Sequence, residues 1–512
     1  MVYCGRPSGG CENCRKQHKR CDEKRPACTR CMRKKQPCAG YRDLSGLIIR
    51  DETKRTKAKF SQWQASSREP VPTVEATVVP DTGPVWLHVD LTASWLQPSP
   101  EDAAIGYFYH TVLSNLSGGD PTRYLHQQFP VLYAQSNSGS ALRLAAEAIS
   151  YAASRQLMPK AALLCRKRYI EAVNATRSAI QDPIEMTNDH TIYAILLLCG
   201  YETMLRDPNV SSTWGAHVDG AAAILRLRGV RAMNSPLGRG LFSFVRKSVV
   251  IGHLQTCLPI DEAFSAPEPE VLSNDPESHL VSIAAKIPDL QHQSNVIFSQ
   301  PQGPSEHEIA ALASHARTLE KQISEWRNTL PLIWLYSTAA NVTESSGAEF
   351  VLEKIHRYHD FYTARVWNFY RVSRLIVQSV LIRALSSSSD PTDPNKHGEI
   401  EKIEEQSADL IDQICASVPF LLGLDLAKMQ LPAPGHVSAQ KNENAAHSGR
   451  FSLIWPLHVA SSCPSIPEAQ RSWMRGHLKA MAEQGEAQAR IVCLTKSQIL
   501  AGGSDIDRFD CV

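Results

Sequence analysis

Six cysteines, Cys11, Cys14, Cys21, Cys28, Cys31 and Cys38, have the residue type and the spacing to do chemistry. Their spacing, C-x2-C-x6-C-x6-C-x2-C-x6-C, is one pattern written twice with a shift of 17 residues. Zinc takes four ligands in a tetrahedron, and thiolate is a preferred one. One zinc would strand two sulfurs. Two zinc ions need eight ligand positions, which six thiolates fill only if two of them bridge. The symmetry of the repeat makes Cys11 and Cys28, which open its two halves, the best candidates. The alternative is a disulfide framework. The first ten residues, MVYCGRPSGG, contain no apolar segment of a secretory signal. A thiol framework without an export signal points to metal, so two Zn2+ per chain are expected. Cys4 lies outside the repeat as a spare thiol.

The stretch CENCRKQHKRCDEKRPACTRCMRKKQPCAGYRD resembles the fungal binuclear zinc cluster (Zn2Cys6) of transcription regulators. The match takes in all six cysteines, Arg15 after the second, Cys21-Asp22 and Pro26 in the middle loop. The resemblance implies that Cys11 and Cys28 bridge, in agreement with the ligand count. It also implies sequence-specific duplex DNA as partner, usually at CGG-type half-sites, and work in the nucleus on genes of RNA polymerase II. Regulators of this kind commonly govern a biosynthetic gene cluster.

Charge points the same way. Residues 1–60 hold 17 basic and 6 acidic residues, a net +11. Six thiolates and two zinc ions bring this to about +9. The rest of the chain is net −9, so the formal total of +2 conceals a basic head on an acidic body. A concentrated basic module attracts phosphate and binds it in a salt-dependent way. A solvated charged face or a nuclear-import signal is compatible with the same residues.

A short helix is expected near Cys14, carrying Arg15, Lys16, Gln17, His18, Lys19 and Arg20. Its twin after Cys31 carries Met32, Arg33, Lys34 and Lys35. Modules of this type place a helix in the major groove. These residues are the candidate DNA contacts. In the family, the base-reading position four residues after the second cysteine is usually Lys; here it is His18, preceded by Gln17. Lysine reads guanine, neutral histidine donates once, and glutamine pairs with adenine. The departure bears on the CGG preference rather than on DNA binding. Six thiolates already complete two tetrahedra, so His18 is not expected to ligate zinc.

The remaining elements must hold and regulate this head. The expected domains are a DNA-binding domain at 1–45, a basic then Pro/Ser-rich linker at 46–100, an all-α regulatory domain at 101–500 and a tail at 501–512. Lys54, Arg55, Lys57 and Lys59 are basic residues for phosphate contact or import. No sustained heptads follow Leu44, Leu47 and Ile48. Six prolines between 70 and 100 read as a flexible linker. From 101 to 500 the pattern is helical and nearly strand-free. Ile105, Phe108, Tyr109, Val112 and Leu113 share one face. Helices are expected at 141–157, 160–181, 189–205, 212–228 (ending at Gly229), Leu237 to Cys257, from Ser305, Phe350 to Leu385, 397–417, 449–463 and 467–500. A loop is expected at 265–280. The run Ile192 to Gly200 is too short to cross a membrane and reads as a buried helix. Ser305 with Glu308 forms a capping box. Ile309, Leu312, Ala316, Leu319, Ile323 and Trp326 are spaced as a core-facing stripe or, alternatively, as a dimer seam. The aromatics Tyr358, Phe361, Tyr362, Trp367, Phe369 and Tyr370 read as core, with a ligand pocket as the minority reading.

Three stretches, MTNDHTIYAILLLCGYETM, WGAHVDGAAAILRLRG and ARVWNFYRVSRLI, with WPLHVA as a weaker fourth, also resemble the fungal-specific regulatory domain that follows such clusters. The resemblance implies an all-α fold and assigns no residue a chemical role. The seven other cysteines are scattered singly as thiols of a reducing compartment.

The chain is not expected to be an enzyme. It lacks G-x-S-x-G, P-loop and H-E-x-x-H patterns. His356, His359 and Asp360 on one helix would only mimic a metal set. The leading reading is a zinc-dependent, sequence-specific transcription regulator that contacts the transcription machinery, with no membrane partner and a homodimer left open. The alternative is a protein–protein co-regulator whose zinc head is degenerate for base readout. Asp505, Asp507 and Asp510 are too few for an acidic activation tail.

Overall fold

The computed structural model describes residues 10–40, 98–113, 125–155, 157–158, 161–204, 214–229, 234–265, 275–340, 350–387, 394–423 and 443–501. Cys4, the basic run 54–59, the linker prolines up to 84 and the tail aspartates lie outside them. The chain divides into two units, Met1–Val89 and Asp90–Val512.

Within the first unit the described segment holds two five-residue helices, α1 (Glu12–Lys16) and α2 (Thr29–Arg33). An isolated helix this short does not hold itself together in water. The buried side chains of this segment are those of Cys11, Cys14, Cys28 and Cys31, with Cys21 and Cys38 packed against them. Among the described residues no other apolar side chain shares that core, so sulfur chemistry must supply what burial does elsewhere.

The second unit is a helical assembly around one core. It opens with α3 (Pro100–Phe108), capped by Ser99 and continued by a π-turn over Tyr109–Leu113. Then come α4 (Phe129–Gln135), α5 (Ala141–Ala153), α6 (Ala161–Gln181), α7 (Pro183–Met186) and α8 (Asp189–Met204). Residues Ile192 to Cys199 of α8 are all buried. A helix apolar all round belongs inside a protein, and α8 packs on α5 and α9 (Trp214–Arg228). Gly200 permits the α5–α8 approach, because a Cβ there would meet Ile149 Cδ1 at 2.9 Å. Gly229, at φ +54°, ends α9 in the left-handed conformation that glycine favours.

Next are α10 (Pro236–Thr256), α11 (Glu262–Ser265), α12 (Pro276–Ala284), α13 (Ile287–Phe298) and α14 (Glu306–Trp326). The expected loop at 265–280 gives way to α12 from Pro276. The Asp275 carboxylate accepts from the Glu277 and Ser278 amides at 3.0 and 2.9 Å, a strong helix start. The capping box on α14 is present in both directions. Its stripe from Ile309 to Trp326 is buried in the core, as the core-facing reading expects. Trp326 closes that stripe. It stacks on Tyr370, meets Trp334 and Trp367 edge-on, and donates Nε1–H to the Pro276 carbonyl at 2.8 Å.

The expected helix from Phe350 to Leu385 begins only at Phe361, as α15 (Phe361–Ser387). Before it, strand β2 (Lys354–Arg357) pairs antiparallel with β1 (Ser337–Ala340), Ser337 opposite Arg357 and Ala340 opposite Lys354. Asp360 sets the boundary by accepting the Thr363 amide at 2.8 Å. The His356, His359 and Asp360 set therefore does not lie on one helix. His356 is a buried strand residue, its Nδ1 3.0 Å from the Tyr358 hydroxyl, while His359 pairs with Asp360 at the surface. The aromatics of this region are core. Among them sits Arg371, fully buried between the rings of Tyr336, Tyr358 and Trp367, donating to Asn368 Oδ1 at 2.7 Å and Gln413 Oε1 at 3.2 Å.

Helices α16 (Pro394–Leu421), α17 (Glu443–Ser461), α18 (Glu468–Glu483) and α19 (Ala487–Leu494) complete the unit. Gly485, at φ +94°, separates the last two. No described helix is long and apolar enough to cross a membrane.

Burial, with Arg371 and Lys354 nearby, holds His356 down at about 3 instead of 6.5. Unfolded His356 takes up a proton as pH falls through about 6.5 and the folded form does not, so acid favours unfolding across that window. The urea midpoint is expected to fall between about pH 7 and about pH 5, and to fall less in His356→Phe. Equal slopes in the two proteins would show that His356 is protonated in place.

Candidate metal centre and nucleic-acid interface

The C-x2-C spacing places Cys11 and Cys28 at the N-caps of α1 and α2, with Cys14 and Cys31 one turn in. Both sulfurs of each pair thus gather at a helix start, where free amides and the positive end of the helix dipole favour a thiolate. The Cys31 amide points at Cys28 Sγ at 3.4 Å, and the Cys11 amide at Cys21 Sγ at 3.4 Å. The Glu12 amide donates to the Gly40 carbonyl at 3.0 Å and so joins the two ends of the segment.

The sulfurs form two sets of four: Cys11, Cys14, Cys21 and Cys28; and Cys11, Cys28, Cys31 and Cys38. Within each set all sulfurs lie within 4.8 Å of one another. Cys11 and Cys28 belong to both. The closest pairs, Cys11–Cys28, Cys11–Cys31 and Cys14–Cys28, stand 3.7, 3.8 and 3.8 Å apart. Two thiolates on one tetrahedral zinc, each about 2.3 Å from the metal, stand about 3.8 Å apart. A disulfide would need about 2.05 Å, and all six are free thiols. Each set can therefore hold one metal ion. Burial pushes the Cys11 thiol well up. At Cys28 the donating Cys31 amide pulls down, but burial and the crowding thiols prevail and raise it to about 12. The Gln36 side-chain amide brings Cys31 down to about 7. Buried thiolates in such a cluster require compensating positive charge, which a divalent cation supplies.

The arms that carry the candidate DNA contacts differ from the expected helices. Helix α1 stops at Lys16, and Gln17 is its C-cap. His18 turns left-handed at φ 50°, with its amide on the Arg15 carbonyl at 3.0 Å and the Lys19 amide on Cys14 at 2.9 Å. This is a Schellman closure with histidine at the position glycine normally takes. Lys35 repeats it at φ 51°, through the Met32 and Cys31 carbonyls, after α2 stops at Arg33. The physical reason is the third cysteine. Cys21 and Cys38 must return to the sulfurs, so the chain reverses instead of continuing as helix. Lys19 and Arg20 consequently lie on the returning segment.

Lys16, Gln17, His18, Lys19, Arg20, Arg33, Lys34 and Lys35 are all exposed; Arg15 is half-buried. Lys16 pairs with Glu12 at 2.9 Å, and Lys34 Nζ reaches Gln17 Oε1 at 3.5 Å. Lys19, Arg20, Arg33 and Lys35 have no ion-pair partner among the described residues.

Sequence reasoning missed three supports. The Asn13 and Gln36 side-chain amides approach Cys31 Sγ at 3.8 and 3.6 Å. Asp22 accepts from the Thr29 amide at 3.1 Å and from the Thr29 hydroxyl, which ties the loop to the start of α2 and lowers the Asp22 carboxyl. The signal available was Asp22 directly after the third cysteine.

Comparison with known proteins agrees with this geometry. Residues 9–47 match the fungal Zn(2)-Cys(6) binuclear cluster domain, and residues 105–251 match the fungal specific transcription factor domain. The chain thus carries the two domains of fungal Zn2Cys6 transcription factors in the same order. Transcription factor dbaG of Emericella nidulans is 27% identical over 324 residues, covering 60% of this chain and 70% of that protein. White-opaque regulator 2 of Candida albicans is 47% identical over 47 residues, 9% of this chain and 10% of that protein. No solved structure matches. The matched domains are DNA-binding and regulatory rather than catalytic, and as transcription-factor domains they imply a nuclear location. The second match ends before ARVWNFYRVSRLI and WPLHVA, which lie outside the matched span.

A non-glycine residue in the left-handed region costs roughly 1–2 kcal/mol. His18→Gly is therefore expected to raise the melting temperature of the zinc-loaded head, with helix content unchanged by circular dichroism. A lower melting temperature would mean that the imidazole supports the fold.

Proposed function

We propose that the six cysteines bind two zinc ions, that Cys11 and Cys28 bridge them, and that the loaded head reads duplex DNA for a sequence-specific regulator of RNA polymerase II genes. The observation that carries this is the pair of four-sulfur sets sharing Cys11 and Cys28, beside exposed cations without ion-pair partners among the described residues. Zinc in each set supplies charge neutralisation and fixes the fold. Lys19, Arg20, Arg33 and Lys35 are suited to phosphates, while Gln17 and His18 face solvent where a base edge would be met. In this reading residues 1–45 provide the DNA address, 46–100 connect, and 101–500 regulate. CGG-type half-sites and a homodimer belong to the same proposal.

The test is a selection from random duplexes with the zinc-loaded full chain at about 150 mM salt, where non-specific attraction is weak. An enriched motif is expected, and Cys28→Ala is expected to abolish it. Lys19→Gln should weaken binding evenly across sequences and reduce the slope of log affinity against log salt by about 1. A folded, zinc-loaded chain that enriches nothing would overturn the reading in favour of a co-regulator that does not read bases.

A further inference from the structure

The ends of α17 and α19 meet the middle of α18 around a cavity of about 370 Å3. That volume lies within the roughly 300–1,000 Å3 of small-molecule sites. Leu478 and Val492, both almost fully buried, give it an apolar base, and His458 and Ser461 line it from α17. Three cations also line it: Arg475 and Lys479 on α18, and Lys496 beyond α19. No lining residue is acidic.

This arrangement costs the fold something. Arg475 and Lys479 are one helical turn apart, where like charges repel, and Lys496 adds a third positive charge. None of the three has a hydrogen-bond or ion-pair partner among the described residues. Their neighbour Arg471 is different: it donates to Glu468 Oε2 at 3.0 Å and to the Ser461 carbonyl at 2.7 Å. The carbonyl ends of α17 and α19 contribute about half a negative charge each, which leaves roughly two positive charges uncompensated. Three exposed cations thus stand around an apolar base, and a bound anion would lessen their mutual repulsion.

We propose that this cavity binds a small organic acid, a molecule with an apolar body and one or two carboxylate-type groups, held by Arg475, Lys479 and Lys496. The site lies in the helical unit and does not rest on the DNA reading. Cys493, exposed among the lining residues and close enough to Lys479 to feel its charge, supplies a reporter.

The zinc-loaded full chain is treated with two aromatic disulfides: bis(nitrobenzoate) disulfide, which carries two carboxylates, and neutral dipyridyl disulfide. With either, the Cys493 sulfur attacks, a mixed disulfide forms, and one aromatic thiolate leaves. Peptide mass spectrometry reads the rate at Cys493 alone. The anionic-to-neutral rate ratio is expected to fall about threefold in Lys479→Gln, in keeping with electrostatic steering. The neutral reagent reports whether the variant is still folded. Millimolar salicylate is expected to slow the neutral reagent at Cys493 in the unmodified protein and not in Arg475→Gln. The proposal is overturned by an unchanged ratio in Lys479→Gln, or by rates that salicylate, citrate and inorganic phosphate all leave untouched.

Discussion

The mutual crowding of six sulfurs is the constraint on which the N-terminal segment depends. Thiols at 3.7–3.8 Å are too far apart to bond to each other and too close to ionise together without a cation. Among the described residues of this segment no apolar core stands behind them, and two helices of five residues cannot persist alone. Metal binding at these sulfurs would therefore be coupled to folding of the segment. The same constraint sets the surface. Because Cys21 and Cys38 must reach back to the cluster, each helix ends within a turn of its second cysteine, and His18 and Lys35 take up matching left-handed positions. The charged residues are displayed as a consequence of closing the sulfur cluster.

The helical unit is held differently. Its centre is a packed aromatic and aliphatic core in which Trp326, Trp334, Trp367 and Tyr370 interlock across α14, the following turn and α15. Arg371 is a charged residue buried inside it. Its guanidinium is accommodated by amide oxygens and ring faces. A buried charge so enclosed fixes the orientation of α15 against α16 and the β1–β2 ribbon.

What the sequence made legible follows from how local each cause is. The cysteine repeat was readable because ligand spacing is local, and the ligand count together with the symmetry of the repeat made Cys11 and Cys28 the bridging candidates. The Ser305–Glu308 cap and the Gly229 helix end were readable for the same reason. The extent of the arms after Cys14 and Cys31 was not, because a left-handed histidine or lysine is imposed by the return of a distant cysteine. The ribbon before α15 escaped because Lys354–Arg357 takes its partner from Ser337–Ala340, and the stop at Asp360 looked like one more polar residue in a helical run. The cavity could not be seen at all: Arg475 and Lys479 show as a like-charged pair, but Leu478, His458, Val492 and Lys496 meet them only through the packing of three helices.

The central claim is that two metal ions share Cys11 and Cys28. Its most direct measurement is cadmium–proton correlation NMR on the cadmium-substituted chain. The account predicts two cadmium signals, with the β-protons of Cys11 and Cys28 coupled to both and those of Cys14, Cys21, Cys31 and Cys38 coupled to one each. A single cadmium signal, or two signals with no cysteine in common, would contradict it.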